Sequence, residues 1–181
     1  MPSPSDLQAT GLAHFHAERL DEAAEAFAEA ANGYAAQGER AAAAEMMNNV
    51  AVVMLAQKKW DLALAAVQGT PEVFHELGDK SREAQALANL GNAHDHTGHL
   101  NEATKFYEKA IDLFTALGEK ENRAACWKAL SALQLKQNKQ LQSLASMQAG
   151  LTLTEDVRDL NAKEKTLKTM LDKAMKMIGG R

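Results

Sequence analysis

Between residues 81 and 118 the apolar positions line up on one helical face and then, after a short interruption, on another. In SREAQALANLGNAHDHT, Leu87, Leu90, Gly91 and His94 fall at i, i+3, i+4 and i+7, a single stripe of an α-helix. Asn101 suits a helix N-cap, because its amide oxygen can accept from the first free N–H groups. Behind it, EATKFYEKAIDLFTAL aligns Ala103, Phe106, Tyr107, Ala110 and Phe114. Gly118 closes this second helix, since glycine takes the left-handed conformation that ends helices. The pattern predicts two helices, neither of which can bury its stripe alone.

The pair recurs. Gly38, Gly78 and Gly118 are 40 residues apart, and the same step carries other positions. Leu7, Met47, Leu87 and Trp127 form a large column, and Phe27, Val67, Tyr107 and Met147 another. Gly11, Ala51, Gly91 and Ser131 form a small column, as do Ala23, Ala63, Ala103 and Ser143. Leu20, Trp60 and Leu100 follow the step until Gln140, and Ala30, Thr70, Ala110 and Gly150 close the set. Small columns mark close helix crossings and large ones fill the gaps between them, so each pair must stack on the next.

The expected organisation is a disordered start over residues 1–4 and four repeats over 5–158, at about 5–40, 41–80, 81–120 and 121–158. A solvating cap helix follows over 160–178, giving nine helices and no sheet. The fourth copy is degenerate, with Gln140, Ser143 and Gly150 in place of stronger residues and Arg158 where the glycine belongs. The cap places Leu167, Met170, Leu171, Ala174 and Ile178 on one side, with lysines over the rest. In the second copy, Gln68-Gly69-Thr70-Pro71 interrupts the second helix, because proline inside a helix costs ~3 kcal/mol or more. The break is expected near Gly69, with Thr70 capping a new turn at Pro71.

Residues 88–114, with Leu90-Gly91, Gly98, Leu100, Ala103, Tyr107 and Ala110, resemble a tetratricopeptide repeat (TPR) unit, preceded by the large residue Leu87. The segment departs from the family at His94, where an aromatic is usual. The TPR period is about 34 residues. A step of 40 resembles the long-helix variant of the LGN/Pins adaptors and kinesin light chains. The likeness extends from residue 5 to about 157. It implies an all-α, right-handed TPR-like solenoid of four antiparallel helix pairs plus a C-terminal capping helix. A fold of this kind does not specify its ligand.

Composition agrees with an all-α chain: 46% of the residues are hydrophobic but only 5% aromatic, and two of the three prolines lie within the first four residues. The opening MPSPSDLQ has no apolar leader core, and no run reaches the roughly 18 apolar residues of a membrane helix. Cys126 is the only cysteine, which excludes an intramolecular disulfide. A soluble, cytoplasmic protein is the expectation. The net charge of −4 argues against nucleic acid as main partner. It is unevenly spread: residues 1–119 hold 18 acids and 8 bases, and residues 120–181 hold 6 acids and 12 bases.

Metal and catalytic chemistry find little support. His94 and His96 are about 200° apart on a helix, which leaves His96 and His99 as a two-ligand set at most. His14 shares the column of His94, which suggests a structural role there. No nucleophile motif or phosphate loop appears. Cys126 follows Arg123 by three residues, which would lower its pKa. The competing reading is a small buried filler. No enzyme activity, cofactor or metal is expected.

The TPR resemblance implies that the first helix of each pair lines a concave groove. Its columns map to Leu12 and Phe15, to Asn48, Asn49, Val52 and Leu55, to Asn89, Asn92 and His96, and to Lys128 and Lys136. Asparagine is a mediocre helix residue, yet Asn49 and Asn89 share a column and Asn48 and Asn92 flank it. Such amides either pair with the backbone of an extended peptide, as asparagines do in the long-repeat adaptors, or join neighbouring helices. The carboxylate clamp of chaperone-binding TPRs is not matched, because Gln8, Leu12, Gln85 and Asn89 stand at its other columns. The expected function is a scaffold that holds a protein or peptide segment, with apolar anchors and acidic residues, in this groove. The alternative is a structural module that assembles through its terminal helices.

Overall fold

Seven helices of the chain end in the same way, and the endings set its rhythm. In the computed structural model, residues 2–155 are described, together with 169, 170, 172, 173 and 176. Left-handed residues fall at Glu18, Gly38, Lys58, Gly78, Gly98, Gly118 and Asn138, one every 20 residues. At Gly38 the N–H donates to Ala35 O at 3.1 Å, and the next N–H, of Glu39, reaches back to Tyr34 O at 2.9 Å. This is a Schellman cap, which satisfies carbonyls the helix leaves free. The longer bond recurs at 2.9–3.0 Å in all seven. Glycine fills the cap at 38, 78, 98 and 118, whereas Glu18, Lys58 and Asn138 hold it at a backbone cost of about 1–2 kcal/mol.

Between the caps lie nine helices among the described residues: α1 (Pro4–His16), α2 (Leu20–Ala36), α3 (Arg40–Ala56), α4 (Trp60–Val67), α5 (Thr70–Glu76), α6 (Lys80–His96), α7 (Leu100–Leu117), α8 (Lys120–Lys136) and α9 (Gln140–Glu155). No strand occurs among those residues. The number nine arises differently from the expectation: the second helix of copy two is split into α4 and α5, and the cap expected over 160–178 lies mostly outside the described residues. Two starts also differ. Ser3 forms a capping box with Asp6 and α1 begins at Pro4, so structure reaches into the segment expected to be disordered. Helix α7 begins at Leu100, which puts Asn101 inside its first turn and not at its cap.

The break comes where proline and glycine place it. Gly69 is left-handed at φ +84, and Pro71 sits in the first turn of α5, where its missing N–H is no loss. Thr70 is not the N-cap; it is the first residue of α5, and its buried hydroxyl donates 2.9 Å back to Val67 O at the end of α4.

The chain forms two units, Met1–His99 and Leu100–Arg181. In the first, α2 packs on α1 and α3, and α3 on α4, α5 and α6. Its small columns are fully buried: Ala23, Ala51 and Ala63 are 0% exposed. The closeness they permit is clearest at Gly11, where an added Cβ would stand 2.7 Å from two ring carbons of Phe27. Phe27, Met46, Val53, Val67 and Phe74 fill the spaces left, each contributing ~1.5–3 kcal/mol by burial. In the second unit, α8 packs on α7 and α9 around Tyr107, Ile111, Phe114, Leu130 and Leu133.

In the fourth copy both small columns hold serine, and the two serines meet. Ser131 Oγ donates to Ser143 O at 2.8 Å, Ser143 Oγ donates to Ser131 O at 2.9 Å, and the hydroxyls are 3.0 Å apart. One turn along, Ser146 Oγ donates to buried Gln134 Oε1 at 2.8 Å. The copy that looks degenerate exchanges apolar contact for matched hydrogen bonds.

Candidate functional site

Helices α3 and α6 meet along a polar seam. Asp79 caps α6 by accepting from the Arg82 backbone N–H at 3.0 Å, which turns the Arg82 side chain toward α3. The guanidinium holds Asp79 at 2.7 Å and Glu45 of α3 at 2.9 Å, 5.4 Å from the Phe74 ring centroid. The Asp79 carboxyl lies below its ordinary range because it accepts first from the Arg82 N–H and then from the Arg82 side chain. The Arg82 pKa is raised in turn, chiefly by its hydrogen bond to Asp79.

Further along the seam, Asn89 Nδ2 donates to Asn48 Oδ1 at 3.0 Å. The pair uses one amide proton of Asn89 and the oxygen of Asn48. Asn49, Asn92, Val52 and Leu55 are half-buried on the same two helices. The structure thus joins Asn48 and Asn89, which lie in adjacent columns, and not Asn49 and Asn89, which share one. The helix-joining role open to these amides is realised in this pair. His96, at the end of α6, lies flat against Trp60, with ring centroids 3.9 Å apart and planes 7° apart.

The other positions of the expected groove are placed as follows. Leu12 is 42% exposed on α1, and Phe15 is half-buried with its ring edge-on to His16. Lys128 and Lys136 are exposed on α8, within the second unit. Cys126, on the same helix, is buried, and burial pushes its thiol up to about 12. The neighbouring arginine does not lower it, so the filler reading is the right one. His14 Nδ1 accepts from Arg19 Nε at 2.8 Å, a local bond at the end of α1. Among the described residues no group of three His, Cys, Asp or Glu is placed to hold a metal ion. No described helix is long and apolar enough to cross a membrane.

Sequence reasoning missed Arg82 and Trp60. Arg82 has no counterpart in its column, where Ala42 and Asn122 stand, so the period gave no reason to single it out. The Asp79-x-x-Arg82 spacing at a helix start was the available signal. Trp60 was assigned to a packing column, and its flat contact with a histidine 36 residues on has no local signature.

Stacked helix pairs with a recurrent cap and paired small columns define a helical-repeat protein. Its α3–α6 seam is an assembled polar surface on that scaffold. Residues 42–116 match the family model described as tetratricopeptide repeat. Over that segment the chain is similar to the tetratricopeptide repeat family. Among solved structures it is similar to BtubC (BKLC) from P. vanneervenii, with a TM-score of 0.77 and 18% identity over 87% of this chain. The chain spans 66% of that protein's length. It is also similar to the MamA RS-1 ArsTM double mutant, with a TM-score of 0.66 and 17% identity over 87% of this chain and 78% of that one. The TPR2AB domain of yeast Sti1, solved as a complex with pHSP90, gives a TM-score of 0.50 and 16% identity over 98% of this chain and 86% of that one. At these identities the likeness concerns the fold. Among curated proteins, none matches the chain.

Proposed function

We propose that the chain is a protein-interaction scaffold and that the α3–α6 face of its first unit holds an extended segment of a partner protein. The observation that carries this reading is the Asn48–Asn89 pair. Once Asn89 has given one proton to Asn48, the pair still offers the amide protons of Asn48 and the carbonyl oxygen of Asn89. A donor and an acceptor side by side match the C=O and N–H of one extended residue. Val52 and Leu55 supply apolar surface beside them, while Asn49 and Asn92 supply further amides. Arg82, locked between Asp79 and Glu45, fixes the spacing of the two helices and so the spacing of the amides.

The family match over residues 42–116 supports the class of function, as does the TPR2AB domain of yeast Sti1, a protein of similar fold solved as a complex with pHSP90. The chaperone-tail clamp is not carried over, because Gln8, Leu12, Gln85 and Asn89 replace its other groups. On the second unit, exposed Lys128 and Lys136 are proposed to attract acidic residues of the partner, an effect that weakens as salt rises.

The test is site-specific photocrosslinking in the native cell. A crosslinking residue at position 52 should trap one dominant partner, and the same residue at exposed Leu62 on α4 should not. Adding Asn89→Ala should abolish the product at 52 while lowering the melting temperature by no more than the roughly 2–4 °C that one helix-joining hydrogen bond is worth. Equal trapping at both positions, or trapping that survives Asn89→Ala, refutes the assignment.

A further inference from the structure

Each unit carries a cleft at the same register of the repeat. In the first, Ala35 of α2 and Ala65 and Gln68 at α4 wall a space of about 450 Å³ floored by Ala43 and Met47 of α3. In the second, Thr115 of α7 and Ala145 and Gln148 of α9 wall a space of about 510 Å³ floored by Arg123 and Trp127 of α8. The correspondence is residue by residue at a step of 80: 35 and 115, 43 and 123, 47 and 127, 65 and 145, 68 and 148. At the two floor positions the first cleft therefore shows what the repeat needs for packing, alanine and methionine, while its own lining arginine, Arg40, is exposed and paired with Glu76 at 2.6 Å. Arginine and tryptophan in the second are additions that packing does not require.

Among the described residues Arg123 is also the one charged residue lining that cleft, and its Nε is buried with no acceptor among them. A buried donor without a partner costs ~1–3 kcal/mol, more when charged, so its persistence asks for a reason. Thr115, whose hydroxyl proton goes to Ile111 O at 2.6 Å, and Gln148, whose Nε2 donates to Asp172 Oδ1 at 2.7 Å, each keep an oxygen that could accept, yet neither is hydrogen-bonded to Arg123 Nε. Among the described residues no acidic side chain lines the space.

We propose that this cleft binds a glutamate side chain of a partner protein, the carboxylate on Arg123 and the aliphatic stem against the Trp127 indole. Guanidinium and carboxylate make the strong charge-assisted pair, and a site walled by indole and alanine raises its strength by excluding water. The open side of the cleft admits a side chain presented from a protein surface. The described residues of the site all lie on α7, α8 and α9, and none belongs to the amide seam on α3 and α6.

The experiment follows the Arg123 Nε–H and Trp127 indole N–H signals by nuclear magnetic resonance in the full chain. The probes are the peptides acetyl-Leu-Glu-Leu-amide and acetyl-Leu-Gln-Leu-amide. The glutamate peptide should shift both signals saturably at millimolar concentration, at least about tenfold more tightly than the glutamine peptide. Arg40 should not respond. Arg123→Ala, which restores the residue of the first cleft, should abolish the Trp127 shift, and Arg123→Lys should retain part of it. Circular dichroism melting of each variant verifies that the fold survives. Equal response to the two peptides, equal shifts at Arg40, or a Trp127 shift unaffected by Arg123→Ala overturns the proposal. So does the absence of any shift, or an Asp172 signal that moves in Arg123→Ala, which would make the chain's own carboxylate the occupant.

Discussion

Replacing the two buried serines of α8 and α9 by alanine, singly and together, tests whether the small columns act as coupled pairs. Ser131 and Ser143 are 1% and 2% exposed, and two hydroxyl protons serve the three contacts between them. A single substitution removes one donation and the hydroxyl–hydroxyl contact, which costs about 1 kcal/mol. The carbonyls left behind keep their helical bonds and are not orphaned. The second substitution removes a hydroxyl that has already lost its fellow. It also recreates the alanine pair that residues 51 and 63 hold at 0% exposure in the second copy. The double variant should therefore cost about 1 kcal/mol, where simple addition gives roughly 2. In a chain of this length each kcal/mol is worth about 2–4 °C of melting temperature. The four proteins of the cycle are compared by calorimetry or by ellipticity at 222 nm. A double variant that loses the full sum of the two singles would refute the coupling, and with it the view that these columns exchange contact types as pairs.

Other outcomes follow from single features. Lys58→Gly should raise the melting point by about 2 °C, because relief of left-handed strain at φ 59 exceeds the added freedom of the unfolded chain; a lower midpoint in a thermal scan contradicts this. Ala103→Leu places three carbons where exposure is 0% and should cost ~1–3 kcal/mol or more, read as the drop in midpoint. Cys126, pushed up to about 12, should react with a thiol reagent at pH 8 about a thousandfold more slowly than a free cysteine, until denaturant opens α8; rapid labelling of the folded chain would refute its burial. Asp79 has a depressed carboxyl pKa, so its stabilising effect is present above the ordinary carboxylate range and lost as pH falls through the folded value. The midpoint gap between wild type and Asp79→Ala should then be widest near neutrality and should narrow in acid.

Much of the fold was legible because it rests on period and size. The glycine ruler located three caps, and the alanine columns located the crossings, since both depend on residues whose chemistry admits little substitution. The caps at Glu18, Lys58 and Asn138 were invisible for the opposite reason: hydrogen bonds and packing force ordinary residues into a conformation they do not advertise. Asn101 misled because a good capping residue is also tolerated in a first turn. The asparagines were recognised as a cluster, but column position alone could not reveal that Asn89 reaches Asn48 on the next helix. Arg123 stayed hidden because its interest lies in what is missing around it, which only the assembled cleft shows.

The evenly spaced caps have a meaning for how such a chain is altered. A cap every 20 residues makes 40 the smallest length that carries a complete helix pair with both of its endings. A segment cut at Gly38 and rejoined at Gly78 loses a whole module and leaves the downstream register untouched, as does a duplication of the same block. One residue added inside α3 would instead turn everything after it by about 100° and drive Ala51 out of its crossing. Recombination in units of 120 bases is thus tolerated where a single inserted codon is not, while the seam and the clefts, each built across a module boundary, move intact only with two adjacent modules.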